Sequence, residues 1–347
     1  MRVGIDARKI GDFGIGTYIR GLLGALVELG GDEYVAFAPA GAKLPEGVEH
    51  VIADAPHYSV RELFVIGRAA DRARLDLFHA PHYVVPFTRL PLVVTIHDLI
   101  HLHQPMRNPL APLYARTMIG RAVRNAARVL TVSETVKGQL VSEFACQESK
   151  VSVTPNGVDE IFFAQRGGDA RHFLYAGNDK PHKNVDVLVD AFTRVRGELP
   201  QARLVLAGAP FARFRGVEGL DLRGFVSIDA LAALYRDAIA LVLPSSEEGF
   251  GLPAAEAMAS GIAVITSNAP ALVEITNGAA LHVDARDARA LAEAMLRVAN
   301  DASLRASLAS IGARRASSFT WKRCAEAARE AFRNVEQRGT PDDELRF

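Results

Sequence analysis

Short apolar runs recur along this chain, and most are followed by a helical pattern before the next begins. Residues 3–5, 34–38, 48–52, 77–79, 92–96, 128–132 and 151–154 read as strands. A second series follows at 172–176, 204–207, 221–223, 239–243, 263–265 and 281–283. The strongest run, Leu92-Val93-Val94-Thr95-Ile96, is almost wholly apolar rather than alternating, the pattern of a strand covered on both faces. Helix patterns lie between the runs, as in Ile19, Leu22, Leu23 and Leu26. Strand, crossover helix, strand builds a parallel α/β sheet. The alternation pauses at the turn cluster Pro155-Asn156-Gly157-Val158-Asp159 and resumes at His172. A chain of 347 residues has room for two such sheets. The expected division is a first domain over 1–164, a second over 165–319, a last helix over about 320–338 and a flexible tail over 339–347.

Residues 241–261, LVLPSSEEGFGLPAAEAMASG, concentrate the chemistry. The strand that leads into them stops at Pro244, and Ser245-Ser246 begin a loop carrying two carboxylates, Glu247 and Glu248. Gly249-Phe250-Gly251 follows, where the backbone can take turns closed to other residues and approach a ligand closely. Leu252-Pro253 opens a helix, AAEAMA continues it and Gly261 ends it. Glu256 stands eight residues after Glu248, just over one turn into that helix. Open α/β sheets bind ligands beyond the carboxyl ends of their strands, and unpaired N–H groups at a helix start attract anions. A phosphate-binding helix end flanked by two hydroxyl-accepting carboxylates suits a nucleotide sugar. The bland alternative is a solvated Glu pair beside an ordinary turn; the pairing through GFG and Pro argues against it.

PSSEEGFGLPAAEAMASGIAVI resembles the donor-binding signature of the retaining glycosyltransferases of family four, and PNGVD is similar to the segment between their domains. The resemblance extends over nearly the whole chain. It implies the GT-B fold, two Rossmann-like parallel-sheet domains facing across a cleft, with the last helix crossing back onto the first. In the loop Gly11-Asp12-Phe13-Gly14-Ile15-Gly16, it directs Gly16 toward the donor diphosphate. In TIHDLI it brings His97 near the transferred sugar. Lys183, before a helix in the second domain, is the expected diphosphate cation. Family members often pair it with two arginines; here Asn178 and His182 stand at those places, and Asn178 can donate a hydrogen bond without the charge. The base is expected against Gly224-Phe225-Val226-Ser227, with Phe225 and Val226 as contacts. Glu256 is assigned to the ribose; Glu248 and the backbone around Phe250, Gly251 and Leu252 are assigned to the sugar and diphosphate. Glu274 is expected on a loop. Glu248, His97 and Lys183 are the candidate catalytic residues.

The remaining features narrow the reading. Lys+Arg and Asp+Glu both total 40, so charge gives no sign of a nucleic-acid partner. Cys146 and Cys324 form no C-x-x-C, which argues against a disulfide framework or a zinc site. His101 and His103 have H-x-H spacing but lack a third ligand at standard spacing. The glycines of the first loop do not form G-x-G-x-x-G, which removes a nicotinamide oxidoreductase. No Asp-x-Asp ends a strand, and Lys183 with the helix start offers positive charge instead, so neither a metal nor a cofactor is expected beyond the nucleotide sugar. Arg121, Arg124 and Arg128 share a helix face with Arg116 close by: a solvated face, or a basic surface for an anionic acceptor or membrane headgroups. There is no signal-peptide core and no apolar run of spanning length, so the expected location is cytoplasmic or peripheral at a membrane surface. The resulting expectation is a retaining, metal-independent hexosyltransferase acting on a hydroxyl of a glycan or glycolipid precursor. A sugar-nucleotide epimerase or hydrolase of the same fold is the alternative, and a two-lobed sugar-binding protein a further one.

Overall fold

Thirteen strands form two parallel sheets in the computed structural model, which describes residues 1–55, 60–104, 111–163 and 170–336. The first sheet contains β1 (Arg2–Asp6), β2 (Glu33–Ala38), β3 (Glu49–Ile52), β4 (Leu77–Ala80), β5 (Leu92–Ile96), β6 (Arg128–Thr131) and β7 (Val151–Val153). Its strand order is β3-β2-β1-β4-β5-β6-β7. Around it run α1 (Ile15–Leu29), α2 (Val60–Arg72), α3 (Ile100–His103), α4 (Ala111–Asn125) and α5 (Glu134–Phe144). The second sheet contains β8 (His172–Ala176), β9 (Leu204–Ala207), β10 (Leu220–Gly224), β11 (Ala238–Leu243), β12 (Ala263–Ser267) and β13 (Ala280–Val283), in the order β10-β9-β8-β11-β12-β13. Its helices are α6 (Val185–Glu198), α7 (Ile228–Arg236), α8 (Leu252–Ala259), α9 (Pro270–Thr276), α10 (Ala288–Asn300) and α11 (Ala302–Ala316). Glu274 lies in α9, not on a loop: Pro270 opens a short helix there and left-handed Asn277 closes it. The predicted tail over 339–347 lies outside the described residues.

The chain separates into two compact units, Met1–Gly157 with the segment from Trp321 onward, and Val158–Thr320. Residues 158–163, predicted to belong with the first sheet, are held in the second unit. Val158 N donates to Phe319 O at 3.0 Å, and Phe162 meets the Tyr235 ring edge-on at 5.5 Å. The last helix, Trp321–Glu336, belongs to the first unit. Cys324, Ala325, Ala328, Ala331, Phe332 and Val335 recur every three or four residues and form one apolar face. That face shares a core with Tyr18, Ile19, Leu22 and Leu26 of α1. Two glycines make room for its first residue. A Cβ on Gly21 would lie 2.1 Å from the Trp321 ring, and one on Gly157 would lie 2.2 Å from Trp321 N.

Strand order positions the loops. It reverses between β1 and β4 in the first sheet and between β8 and β11 in the second, and a crevice opens at each reversal. β8 and β11 pair directly, with Leu174 opposite Leu241, so the loops that follow them leave side by side. The neighbouring strand ends are locked by glycine. Gly177 N donates to Ala207 O at 2.9 Å and Gly208 N to Gly224 O at 2.7 Å. Gly208 has φ +106°, and a Cβ there would sit 2.6 Å from Gly177 O.

Gly208→Ala therefore adds both backbone strain and a collision with the loop after β8. A loss of about 2–4 kcal/mol is expected, combining a strained φ with a steric clash. Urea unfolding measures it; an unchanged midpoint would show that the β9 end yields freely.

Candidate functional site

The loop after β8 is shaped by its own side chains. Tyr175 Oη donates to Asn178 O at 2.7 Å, and Lys180 N donates to Asn178 Oδ1 at 3.2 Å. Asn178 thus uses its side-chain carbonyl to close the loop. Arg213, which the sequence did not single out, grips the same loop. It forks onto Asp179 at 2.6 and 2.9 Å and reaches Asp186 in the first turn of α6 at 2.6 Å. The loop ends in a 3-10 turn, Pro181–Lys183, and Asn184 takes a left-handed conformation with φ 50° before α6 begins.

This loop is stitched to the one after β11. Ser246 N donates to His182 O at 2.8 Å, and Asn184 Nδ2 donates to Pro244 O at 3.0 Å. His182, one of the residues standing where an arginine is usual, has a buried side chain. Across the seam, Lys183 Nζ donates to Glu248 Oε1 at 2.5 Å, with the side chains only 12% and 9% exposed. Two residues with separate expected roles are thus in direct contact, lysine toward phosphate and glutamate toward sugar.

The start of α8 completes the arrangement. Gly251 is left-handed at φ 87°, and a Cβ there would lie 2.4 Å from Leu272 Cδ2, so two constraints require glycine. Pro253 has no N–H, and the N–H groups of Ala254 and Ala255 both donate to Gly251 O. The N–H groups of Gly251 and Leu252 are the ones for which the helix itself supplies no carbonyl. Phe250 is buried, edge-on to Phe319 at 5.3 Å, so it offers a ligand only its backbone. Phe225 is 64% exposed on the turn after β10, with Val226 half-buried beside it.

Glu256, one turn further into α8, is 9% exposed. Its Oε2 accepts from Tyr235 Oη at 2.9 Å. Burial raises its carboxyl from the ordinary 4.5 to about 8; the Tyr235 hydrogen bond opposes the rise and the charge of Asp159 adds to it.

The first unit presents its own groups at strand ends. Gly16 lies under the preceding loop, and a Cβ there would come within 2.6 Å of Ile10 O. His97 follows β5; its Nε2 donates to Pro81 O at 3.0 Å, which leaves Nδ1 as an acceptor. Burial lowers the ring to about 4, against the opposing pull of Asp98 and the Pro81 carbonyl, so it is neutral at pH 7. Tyr18 meets the ring edge-on at 4.6 Å. Sequence reading missed the ion cluster at the β1/β4 reversal. Arg8 clasps Asp6 at 2.7 and 2.8 Å and reaches Glu62 at 2.8 Å, while His82 Nε2 contacts Asp6 at 3.2 Å. Burial alone would raise the Asp6 carboxyl, but the hydrogen bonds from Arg8 and His82 hold it well below the usual range. The only advance signal was Asp6-Ala7-Arg8 directly after a strand.

Other candidates are placed elsewhere. The arginines on α4 do not form one solvated row: Arg121 is half-buried, its guanidinium 4.0 Å over the Phe87 ring and bonded to Pro86 O, while Arg124 is exposed. His101 meets Tyr83 Oη at 2.8 Å and His103 meets Glu143 at 3.0 Å. Among the described residues no group of three or more His, Cys, Asp or Glu side chains could hold a metal ion. No helix there is long and apolar enough to cross a membrane. A cavity of about 200 Å³ lies at the opposite, amino end of β8–β10, where Arg203 and Arg223 face Asp221. It is remote from the loops that carry the candidate groups.

Comparison with known proteins places both halves of the chain. Residues 14–161 match the model of "Glycosyltransferase Family 4", and residues 170–301 match "Glycosyl transferases group 1". The O-antigen chain mannosyltransferase RfbU of Salmonella typhimurium is 32% identical over 59% of this chain and 60% of its own length. The solved sucrose-phosphate synthase of Thermosynechococcus elongatus superposes with a TM-score of 0.81 at 19% identity, covering 98% of this chain and 100% of that one. Anabaena HepE, solved in complex with UDP and glucose, has a TM-score of 0.75 at 17% identity, covering 96% and 99%. These structural likenesses establish the fold, GT-B with two Rossmann-like sheets.

The raised carboxyl of Glu256 has a testable sign. Below 4.5 both folded and unfolded carboxyls are protonated and nothing is lost. As pH rises to about 8 the unfolded carboxyl ionises while the folded one stays protonated, so folding stability falls through that window. Glu256→Gln stays neutral throughout. Its stability relative to the parent chain should rise steadily across the window, as read by urea unfolding at several pH values. A pH-independent difference would mean that Glu256 is already ionised in the folded chain.

Proposed function

The chain belongs to the group 1 glycosyltransferases of family 4, and from that premise we propose that it moves a hexose from a nucleotide-diphosphate sugar to a hydroxyl of an acceptor, with retention of configuration. The observation that carries this reading is the seam at the β8/β11 reversal, where Lys183, Glu248 and the α8 start converge. The UDP and glucose held by HepE support a nucleotide-sugar donor, and the name of RfbU supports a hexose and a glycan acceptor.

In this reading Glu256 takes the ribose, and the base lies against Phe225 and Val226. Lys183, the N–H groups of Gly251 and Leu252, and the Asn178 amide take the diphosphate. The diphosphate draws Lys183 away from Glu248, which then accepts from the sugar hydroxyls together with the backbone at Phe250. Gly16 and His97 keep the roles implied by the resemblance, toward the diphosphate and the sugar. Neutral His97 keeps Nδ1 as an acceptor. Catalysis consists chiefly of stabilising negative charge as the diphosphate departs. Lys183 and the helix start supply that stabilisation, and transfer proceeds without a divalent metal.

A thermal-shift series of nucleoside diphosphates and their sugars tests the reading, since a ligand of the folded state raises its stability. One diphosphate and its hexose conjugate should stand out; no shift with any would contradict it. With that donor, Lys183→Ala should lower kcat/KM by about a hundredfold, close to 3 kcal/mol of transition-state stabilisation. EDTA should leave turnover unchanged. Activity lost in EDTA and restored by manganese would overturn the metal-free assignment.

A patch on the first unit favours contact with an anionic bilayer. Phe64 and Phe87 are 45% and 46% exposed with ring centroids 4.9 Å apart, and Arg121 lies over Phe87. Exposed Arg61 and Arg68 flank Phe64 at three and four residues along α2. Aromatic rings ringed by cations fit a headgroup surface. The protein should sediment with phosphatidylglycerol-containing vesicles and not with pure phosphatidylcholine, and Phe64→Ser/Phe87→Ser should release it. Equal binding by the double variant would remove this surface from consideration.

A further inference from the structure

We propose that Tyr235 is the positioning residue for nucleotide binding: its hydroxyl holds Glu256 Oε2 and leaves Oε1 as the oxygen offered to the ribose. The inference rests on the proposed ribose role of Glu256 and extends it to a residue on a different helix. Tyr235 is fully buried near the end of α7, and its hydroxyl lies 2.9 Å from Glu256 Oε2 and 3.3 Å from Pro253 O. A phenol has one proton to donate, and the shorter contact goes to the carboxyl. Phe162 stands edge-on to the ring at 5.5 Å and 90°, so the phenol is braced from the side as well as bonded at its tip. Glu256 makes no other side-chain hydrogen bond within the described residues. One of its oxygens is therefore committed and the other is open.

That division matters because a carboxylate on a two-turn helix has several rotamers, and only an oriented one can accept from neighbouring hydroxyls. The hydroxyl also favours the charged form of the carboxyl, acting against burial and against Asp159, the charged group that acts on Glu256 from the segment packed beside it. Tyr235 thus serves in two ways, by geometry and by charge. A tyrosine that only filled space would do neither, and phenylalanine would replace it without consequence for ribose recognition.

The test is calorimetric. The nucleoside diphosphate among UDP, GDP and ADP that binds the parent protein most tightly is titrated beside its 2′-deoxy form. The proteins are the parent, Tyr235→Phe, Glu256→Ala and the double variant. Tyr235→Phe should weaken the ribo ligand about five- to tenfold and the deoxy ligand less, reducing the preference. Affinity for the ribo ligand should rise with pH as the carboxyl ionises, and Tyr235→Phe should move that rise to higher pH. The double variant should match Glu256→Ala, because Tyr235 acts through the carboxyl. If Tyr235→Phe keeps the parent preference and pH profile while Glu256→Ala loses them, the positioning role is overturned and the ribose role stands. If Tyr235→Phe weakens both ligands equally, Tyr235 only supports the fold and the inference falls. If the parent shows no ribo preference, the ribose role falls and takes this inference with it. Thermal melts of each variant confirm that folded protein is being compared. Should Tyr235→Phe fail to fold, Phe162→Leu, which loosens the ring without removing the hydroxyl, should lower the ribo preference by a smaller factor; an unchanged preference there would equally overturn the proposal.

Discussion

The contact between Lys183 and Glu248 organises the second unit's loops. It joins the segments leaving two adjacent strands, and the backbone bonds from Ser246 to His182 and from Asn184 to Pro244 run beside it. Such a shielded pair contributes little net stability, because desolvation consumes most of the attraction, yet losing one partner leaves a costly lone charge. Its value lies in holding a cation and an anion ready at the reversal of the sheet without either collapsing into the core. In the proposed role a diphosphate takes over the partnership with Lys183 because it brings negative charge of its own, and the carboxylate is released toward the sugar hydroxyls.

Much of this was readable in the sequence. The strand runs and their crossover helices gave two parallel sheets because buried strands and amphipathic helices have distinct periods. The GFG turn and the Glu248–Glu256 spacing were likewise local signals. Contacts made between distant segments were not readable. Arg213 grips Asp179 across 34 residues, Lys183 meets Glu248 across 65, and Tyr235 reaches Glu256 from another helix. Lys183, Glu248 and Glu256 stood out singly by their local setting, but none of these pairings shows until the topology brings the partners together. Glu274 was misplaced for a local reason, since a seven-residue helix opened by proline differs little in pattern from a loop.

The first unit shows the same limit in a buried form. Asp6, Arg8, Glu62 and His82 would each be read as solvent-facing by type, and all are covered. They are admissible there only as a set. Arg8 satisfies both oxygens of Asp6 and one of Glu62, and His82 adds a further donor to Asp6. The cluster sits where β1 gives way to the glycine loop, so the entry of that loop is fixed by charge pairing rather than by apolar packing. Gly16, closed over by Ile10, fixes its exit.

The placement of the helix Trp321–Glu336 has a consequence for how the protein is made. Its apolar face completes the core that α1 begins, although some three hundred residues separate them in the chain. During synthesis, which proceeds from the amino end with domains folding as units, the first sheet emerges early but lacks Cys324, Ala328 and Phe332 over α1. The second unit, continuous from Val158 to Thr320, has all of its core before those residues leave the ribosome. The unit begun earlier is thus the one finished later, and α1 carries an uncovered apolar stripe until residues 321–336 have been made.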